Sequence, residues 1–211
     1  MKICEIFSSI QGESSYAGVP CTFVRMTGCN LRCSYCDTVY AYEEGTELTE
    51  DETMGKIHSI GLRTVMITGG EPLLQAGVFP LAKRLLDHGF RVLIETNGSQ
   101  DIRQVDRRAV LIPDVKTPGS GMPNTFLMSN LDLLRPVDEL KFVITGRKDY
   151  EWSRDFVKEH SLARKCTLLF SPAFGMLNPR DLSRWIIEER LEVRLNLQLH
   201  KYIYGPDVRG V

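Results

Sequence analysis

The chain has 211 residues, of which 43% are hydrophobic and 25% charged, and its formal net charge is −1. Because the 26 basic and 27 acidic residues nearly cancel, the composition excludes bulk electrostatic attraction to nucleic acid. No apolar run reaches the roughly 20 residues that span a bilayer, and the first residues lack the apolar run of a signal peptide. We therefore expect a single domain over residues 1–211 in the cytoplasm, with no membrane or nucleic-acid partner and with reduced cysteines.

Short apolar runs alternate with helical patterns over most of the chain. Val, Ile, Leu and Phe dominate the runs, as in parallel strands that are buried on both faces. The predicted strands are residues 22–26, 63–68, 91–96, 109–113, 140–145, 166–170 and 193–199. The predicted helices are residues 49–60, 78–88, 150–160 and 179–190. This order predicts an α/β fold with right-handed crossovers and a parallel sheet.

Polar residues and glycines follow several of these predicted strands. In chain order, the strand exits carry a cysteine-rich loop, the sequence GGEP, the sequence NGS, Asp114 with Lys116, and finally His200. Ligands bind at the carboxyl ends of the strands in parallel sheets and barrels. We therefore expect these residues to share one pocket.

Three of the six cysteines, Cys29, Cys33 and Cys36, lie within eight residues. Thiolates are soft ligands that suit iron–sulfur clusters or zinc. Three cysteines would leave one iron of a [4Fe–4S] cluster free to chelate a small molecule. A structural zinc site needs a fourth Cys or His, and the nearest histidine, His58, lies on a predicted helix. A zinc-stabilised binding module is the alternative that is not an enzyme.

The spacing C-x3-C-x2-C, with the aromatic Tyr35 before the last cysteine, resembles the signature of the radical S-adenosylmethionine (SAM) enzymes. The resemblance implies an abbreviated partial barrel of parallel strands with outer helices. It also implies a [4Fe–4S] cluster on Cys29, Cys33 and Cys36, with SAM bound at the open iron. Activases of glycyl-radical enzymes share this spacing and are a second alternative, although the chain lacks an additional cysteine-rich insert.

The same resemblance assigns SAM contacts to several strand exits. The two glycines of GGEP allow a close backbone approach, and in these enzymes the segment contacts the amino group of SAM. Glu71 could accept hydrogen bonds from that ammonium group. The candidate SAM-binding residues are Tyr35, Cys36, Asp37, Gly69, Gly70, Glu71, Glu95, Asn97, Lys116 and Gln198.

The amino-terminal segment narrows the resemblance further. Residues 10–13 (IQGE), the dipeptide DT after the last cysteine and residues 198–201 (QLHK) are similar to the 7-carboxy-7-deazaguanine synthase family of queuosine biosynthesis. Ser14 stands where many members have glycine. The implied reaction converts 6-carboxy-5,6,7,8-tetrahydropterin into 7-carboxy-7-deazaguanine and releases ammonia.

This family resemblance also implies further ligands and partners. Mg²⁺ would bind at Thr38, a flavodoxin or ferredoxin would act as reductant, and the chain would form a homodimer. Arg25 offers a planar fork for the carboxylate of the pterin, and a buried guanidinium needs such an anion. The candidate substrate-binding residues are Ile10, Gln11, Gly12, Glu13, Arg25, Thr68 and His200.

Overall fold

The computed structural model describes residues 1–211. The strands are β1 (Lys2–Ile10), β2 (Pro20–Met26), β3 (Thr46–Glu47), β4 (Thr64–Gly69), β5 (Arg91–Thr96), β6 (Val110–Val115), β7 (Glu139–Ile144), β8 (Thr167–Pro172) and β9 (Arg194–Leu195). The helices are α1 (Glu50–Ile60), α2 (Val78–Asp87), α3 (Arg147–Glu159), α4 (Pro179–Glu188) and α5 (Leu199–Tyr204). None of these helices has both the length and the apolar composition of a membrane-spanning segment.

All nine strands belong to one sheet, in the order β3–β1–β2–β4–β5–β6–β7–β8–β9. Every neighbouring pair from β2 to β9 is parallel, whereas β1 pairs with β2 and β3 in antiparallel fashion. The predicted α/β fold with a parallel sheet is therefore confirmed. The pairing between β6 and β7 is short, since only Asp114–Lys141 and Val115–Phe142 are in register.

The core has two parts because side chains on a strand alternate between the two faces of the sheet. The larger cluster contains 32 buried residues, among them Val65 and Ile67 of β4 and Leu81 and Leu85 of α2. It fills the space between the sheet and the helices. A cluster of six buried residues, which includes Met66, lies on the opposite, inner face. Burial on both faces explains why the central strands are apolar throughout.

The structure corrects the sequence prediction at both ends of the sheet. Only Arg194–Leu195 of the predicted strand 193–199 pairs with β8, and a new helix begins at Leu199. The side chain of Asn196 instead bonds to Ser171 and to the backbone of Ser14, which turns the chain away from the sheet. His200 therefore lies on α5 and not at a strand exit. The strand β1 was missed because it is partly exposed and mixes polar and apolar residues.

Candidate functional site

A cavity of about 650 Å³ opens at the carboxyl ends of the parallel strands. The cysteine loop after β2, the turns after β4, β5 and β6, and the segment before β2 all contribute to its wall. Every candidate site residue from the sequence except Glu71 lines this cavity. The strand exits bring distant parts of the chain together, as expected, and His200 reaches the same cavity from α5.

The carboxylate of Glu71 has a different position from the one expected. Its side chain is fully buried and accepts hydrogen bonds from the Thr96 hydroxyl at 2.7 Å, from the Asn97 amide at 2.6 Å and from the Leu73 amide at 3.0 Å. Burial raises the pKa of this carboxyl above its usual value. Glu71 therefore ties the turn after β4 to the turn after β5, and its side chain does not face the cavity.

The two glycines at the end of β4 are required by their packing against the end of β2 and the cysteine loop. A Cβ on Gly70 would overlap the carbonyl oxygen of Gly28 and lie 2.8 Å from the Cβ of Cys29. Gly69 has φ +141°, which side chains rarely adopt, and a Cβ there would overlap the backbone of Met26. This close approach leaves the backbone of the turn on the cavity wall beside the cysteines.

Cys29, Cys33 and Cys36 are free thiols, half-buried, and all three line the cavity. No three His, Cys, Asp or Glu side chains converge on a point that could hold one metal ion. Three soft ligands spread along a cavity wall fit a cluster of several irons better than a single tetrahedral zinc ion. The loop is anchored at Ser34, whose amide donates to Ser120 at 2.9 Å and whose hydroxyl donates to Gly119 at 2.8 Å.

Two lysines, the buried Lys141 and the largely buried Lys116, line the cavity and pair with its carboxylates. The Lys141 ammonium contacts Glu13 at 3.0 Å, Glu95 at a short distance and Asp114 at 3.9 Å. Lys116 pairs with Asp114 at 2.9 Å. Asp114 was expected in this pocket as a strand-exit residue, whereas Lys141 was not among the candidate site residues. Lys141 lies near the start of the predicted strand 140–145, and a lysine on a strand is more often directed to solvent.

Glu13 is held ionised at the end of this network. Burial alone would raise its pKa, but Lys141 and a hydrogen bond from Gln198 at 3.0 Å hold the pKa of Glu13 below its usual value. Burial lowers the pKa of His200, against the attraction of Glu13, so the imidazole is neutral near pH 7. Gly12 lies directly beside this ring, and a Cβ there would overlap His200 Nδ1. The glycine of the IQGE sequence therefore makes room for the histidine.

Ser14 adopts the left-handed conformation that favours glycine, with φ +66°. A glycine, which the family resemblance implies at this position, would adopt this conformation without strain. Two hydrogen bonds offset the strain: the Ser14 amide donates to Asn196 at 2.7 Å, and the Ser14 hydroxyl accepts from the Tyr16 amide at 3.0 Å. The turn therefore keeps its left-handed conformation with serine in place of glycine.

Arg25 has a protein partner, contrary to the expectation that a ligand anion alone would neutralise it. Its Nε donates to Glu5 at 2.6 Å, and Tyr40 donates to the same carboxylate oxygen at 2.9 Å. The Arg25 side chain is 17% exposed and lines the cavity. Because only Nε is used, the two Nη groups are left for an anion, which they can bind as a fork.

Thr38 and Asp37 place hard oxygen atoms at the cavity wall next to Cys36. The Thr38 hydroxyl donates to Asp37 at 2.8 Å, and Lys201 of α5 pairs with the other oxygen of the Asp37 carboxylate at 2.5 Å. Burial would raise the pKa of Asp37, but Lys201 and Thr38 lower it to about 2. Oxygen ligands of this kind fit Mg²⁺.

These features define the class of protein: a parallel partial barrel, a three-cysteine loop after the first parallel strand, and a polar cavity at the strand ends. The model of the radical SAM superfamily matches residues 23–111. The superfamily implies a [4Fe–4S] cluster and SAM, and the cysteine loop and cavity described above fit both.

The relatives narrow the class to one family. A 7-carboxy-7-deazaguanine synthase of Koribacter versatilis is 46% identical and covers all of both chains. One from Chlorobaculum tepidum is also 46% identical, over 100% of this chain and 97% of the relative. The crystal structure of QueE from Escherichia coli matches with a TM-score of 0.77 at 25% identity, over 94% of both chains. The chain belongs to the 7-carboxy-7-deazaguanine synthase family, which sets aside the activase and the zinc-stabilised module.

Proposed function

We propose that this chain catalyses the SAM-dependent ring contraction of 6-carboxy-5,6,7,8-tetrahydropterin to 7-carboxy-7-deazaguanine, with release of ammonia. The observation that carries the proposal is the meeting of the cysteine loop with Arg25, Glu13 and His200 in one cavity. A cationic fork, a carboxylate and a neutral imidazole suit a flat, anionic ligand with several N–H groups. The family to which the chain belongs supports the same reaction.

The cofactors have a suitable place in this cavity. Cys29, Cys33 and Cys36 would hold the [4Fe–4S] cluster, and the backbone at Gly69 and Gly70 would approach SAM. When bound, the cluster and SAM supply a radical that can remove hydrogen from an unreactive carbon. The protein itself binds, orients and excludes water, since the chemistry depends on a closed and ordered cavity.

Individual side chains have separate tasks in this proposal. The Nη groups of Arg25 bind the substrate carboxylate, and Glu13 accepts hydrogen bonds from ring N–H groups. Lys141 keeps Glu13 ionised, so Glu13 acts as an acceptor at neutral pH. His200, neutral and beside Gly12, can donate or accept at the ring edge. Ile10, Gln11 and Thr68 would complete the substrate wall.

The remaining SAM contacts are proposed from their places on the same wall. Tyr35 and Lys116 lie together, with the Lys116 ammonium 5.7 Å from the centroid of the Tyr35 ring. Glu95, Asn97 and Gln198 border the cavity next to the cysteine loop and α5. Mg²⁺ would bind at Thr38, where the substrate carboxylate and water could complete the coordination shell.

The partners are also proposals. A flavodoxin or ferredoxin would supply the electron, and the chain would act in the cytoplasm as a homodimer. Exposed apolar side chains at the carboxyl-terminal end, such as Tyr202 at 58% and Ile203 at 51% exposure, give a surface on which a second copy could pack. Sedimentation equilibrium of the purified protein tests the oligomeric state.

The test of the function is direct. The anaerobically reconstituted protein is incubated with SAM, a reductant and 6-carboxytetrahydropterin, and the product mass is measured. We expect 7-carboxy-7-deazaguanine, and no product from the matched Cys33→Ala protein. SAM cleavage without conversion of this pterin would contradict the proposed substrate but not the class of chemistry.

A further inference from the structure

The last six residues of the chain form part of the cavity wall, and the proposed function does not use them. Residues 206–211 follow α5 and line the cavity. The guanidinium carbon of Arg209 lies 3.7 Å from the centroid of the Tyr40 ring, and the same side chain pairs with Glu44 at 3.2 Å. A guanidinium over a tyrosine ring is attractive. The segment is thus attached to the turn that follows the cysteine loop.

Tyr40 links Arg209 to the arginine of the substrate site. The Tyr40 hydroxyl donates to Glu5 Oε1 at 2.9 Å, and Arg25 Nε donates to the same oxygen at 2.6 Å. The guanidinium carbon of Arg25 also lies 5.9 Å from the centroid of the Tyr40 ring. One aromatic side chain therefore contacts both arginines and the carboxylate between them. A shift of the ring would move Glu5 and, with it, the direction of the Arg25 guanidinium.

We propose that Arg209 is a positioning residue that makes the cavity selective for a carboxylated ligand. By holding Tyr40 it keeps Glu5 and Arg25 oriented so that the two Nη groups of Arg25 face the cavity. This inference rests on the proposed function, in which the substrate carboxylate binds Arg25. Stacking requires a flat cation, so lysine is an incomplete substitute for arginine at this position.

Equilibrium binding of two pterins to the anaerobically reconstituted protein tests the inference. The two ligands are 6-carboxypterin and pterin, which share the ring system and differ in the carboxylate. The variants are Arg209→Gln, Arg209→Lys and Tyr40→Phe. Arg184→Gln is the matched control, because Arg184 is 59% exposed against 56% for Arg209, pairs with two carboxylates and lies outside the cavity on α4.

We expect Arg209→Gln to weaken binding of 6-carboxypterin about 2- to 5-fold, the size of an exposed cation–π interaction, and to leave pterin binding unchanged. Arg209→Lys should fall between Arg209→Gln and the wild type. Tyr40→Phe should show the same selective loss, because it removes the hydroxyl that contacts Glu5 and leaves residues 206–211 intact. Arg184→Gln should behave as wild type with both ligands.

The outcomes separate this inference from the function on which it rests. If the wild type prefers 6-carboxypterin and Arg209→Gln has the same preference, the positioning role is wrong. An equal loss of affinity for both ligands would also overturn it. That result would mean that Arg209 supports the cavity wall in general and does not select the carboxylate. If the wild type binds the two pterins equally, or binds neither, the carboxylate site itself fails, and the inference with it. Thermal unfolding of each variant confirms that the compared proteins are folded.

Discussion

At the scale of single residues, Thr38 is the proposed Mg²⁺ ligand and lies two residues after Cys36 of the cysteine loop. Its hydroxyl donates a hydrogen bond to the Asp37 carboxylate at 2.8 Å, and both side chains line the cavity. We expect Thr38→Ala to raise the Mg²⁺ concentration needed for half-maximal turnover, whereas Thr38→Ser should retain the wild-type value because it retains the hydroxyl. Mg²⁺ titrations of turnover make the comparison. Identical curves for the alanine variant and the wild type would remove Thr38 as a ligand.

Glu13 gives a prediction on pH at the same scale. Its pKa is lowered in the folded protein, so its contribution to stability is present above the unfolded pKa of about 4.3 and is lost as pH falls through the lower folded value. Glu13→Gln should lower the free energy of unfolding by about 1–3 kcal/mol at pH 7, because Lys141 loses one of its charged partners. This loss of stability should become smaller below pH 4, because Glu13 of the wild type is then increasingly protonated.

Urea unfolding at pH 7 and pH 3.5 measures this difference. The Glu188→Gln variant is a suitable control, since Glu188 lies on the exposed surface with its partner Arg184 3.9 Å away. We expect the control to change stability little at either pH. A Glu13→Gln cost that is the same at both pH values would show that the Glu13 charge does not contribute to folding.

At the scale of elements, a 3-10 turn over Pro118–Ser120 connects α3 to the cysteine loop. The Gly119 amide donates to Asp149 of α3 at 2.8 Å, and the carbonyl of Gly119 accepts from the Ser34 hydroxyl. A Cβ on Gly119 would overlap side-chain oxygens of Asp149 and Thr145. The position of the cysteine loop therefore depends on a helix that contributes no ligand.

This connection predicts the effect of Gly119→Ala. The substitution should displace the turn, lower the iron content after anaerobic reconstitution and reduce the stability of the protein by about 1–3 kcal/mol. Gly146→Ala is the matched control, because a Cβ there meets nothing within 4 Å. Iron analysis and thermal unfolding make the comparison. Full iron content in Gly119→Ala would show that the loop does not need this anchor.

At the scale of the whole molecule, binding of SAM should be visible as stability. A ligand that binds only the folded protein raises the free energy of unfolding by about 2.7 kcal/mol when its free concentration is 100 times its Kd. We expect SAM to raise the unfolding temperature of the reconstituted wild type and of Cys166→Ala, whose thiol is buried away from the cavity. Cys33→Ala should lose the cluster and most of the shift. If SAM raises the unfolding temperature of Cys33→Ala as much as that of the wild type, SAM binding does not depend on the cluster.

The sequence by itself determined the class of fold and many of the residues that line the cavity. Buried parallel strands are apolar on both faces, so their runs are visible without a structure, and chemistry at their carboxyl ends follows from the topology. The predicted helix over residues 49–60 is confirmed as α1, and its ends are set by local residues, since Thr49 caps its start and Gly61 its end. The cysteine spacing is also a local feature, and the match to the radical SAM superfamily confirmed the class that this spacing indicated.

Only the tertiary structure decided how side chains distant in sequence share their partners. Glu71 is turned into the core by three donors from two turns, and Arg25 is occupied by Glu5, which lies 20 residues earlier on a strand that the sequence pattern did not predict. Lys141 meets Glu13 across 128 residues. The last six residues reach the cavity because Asn196 turns the chain out of the sheet. Such contacts depend on packing between elements, for which spacing along the chain carries no signal.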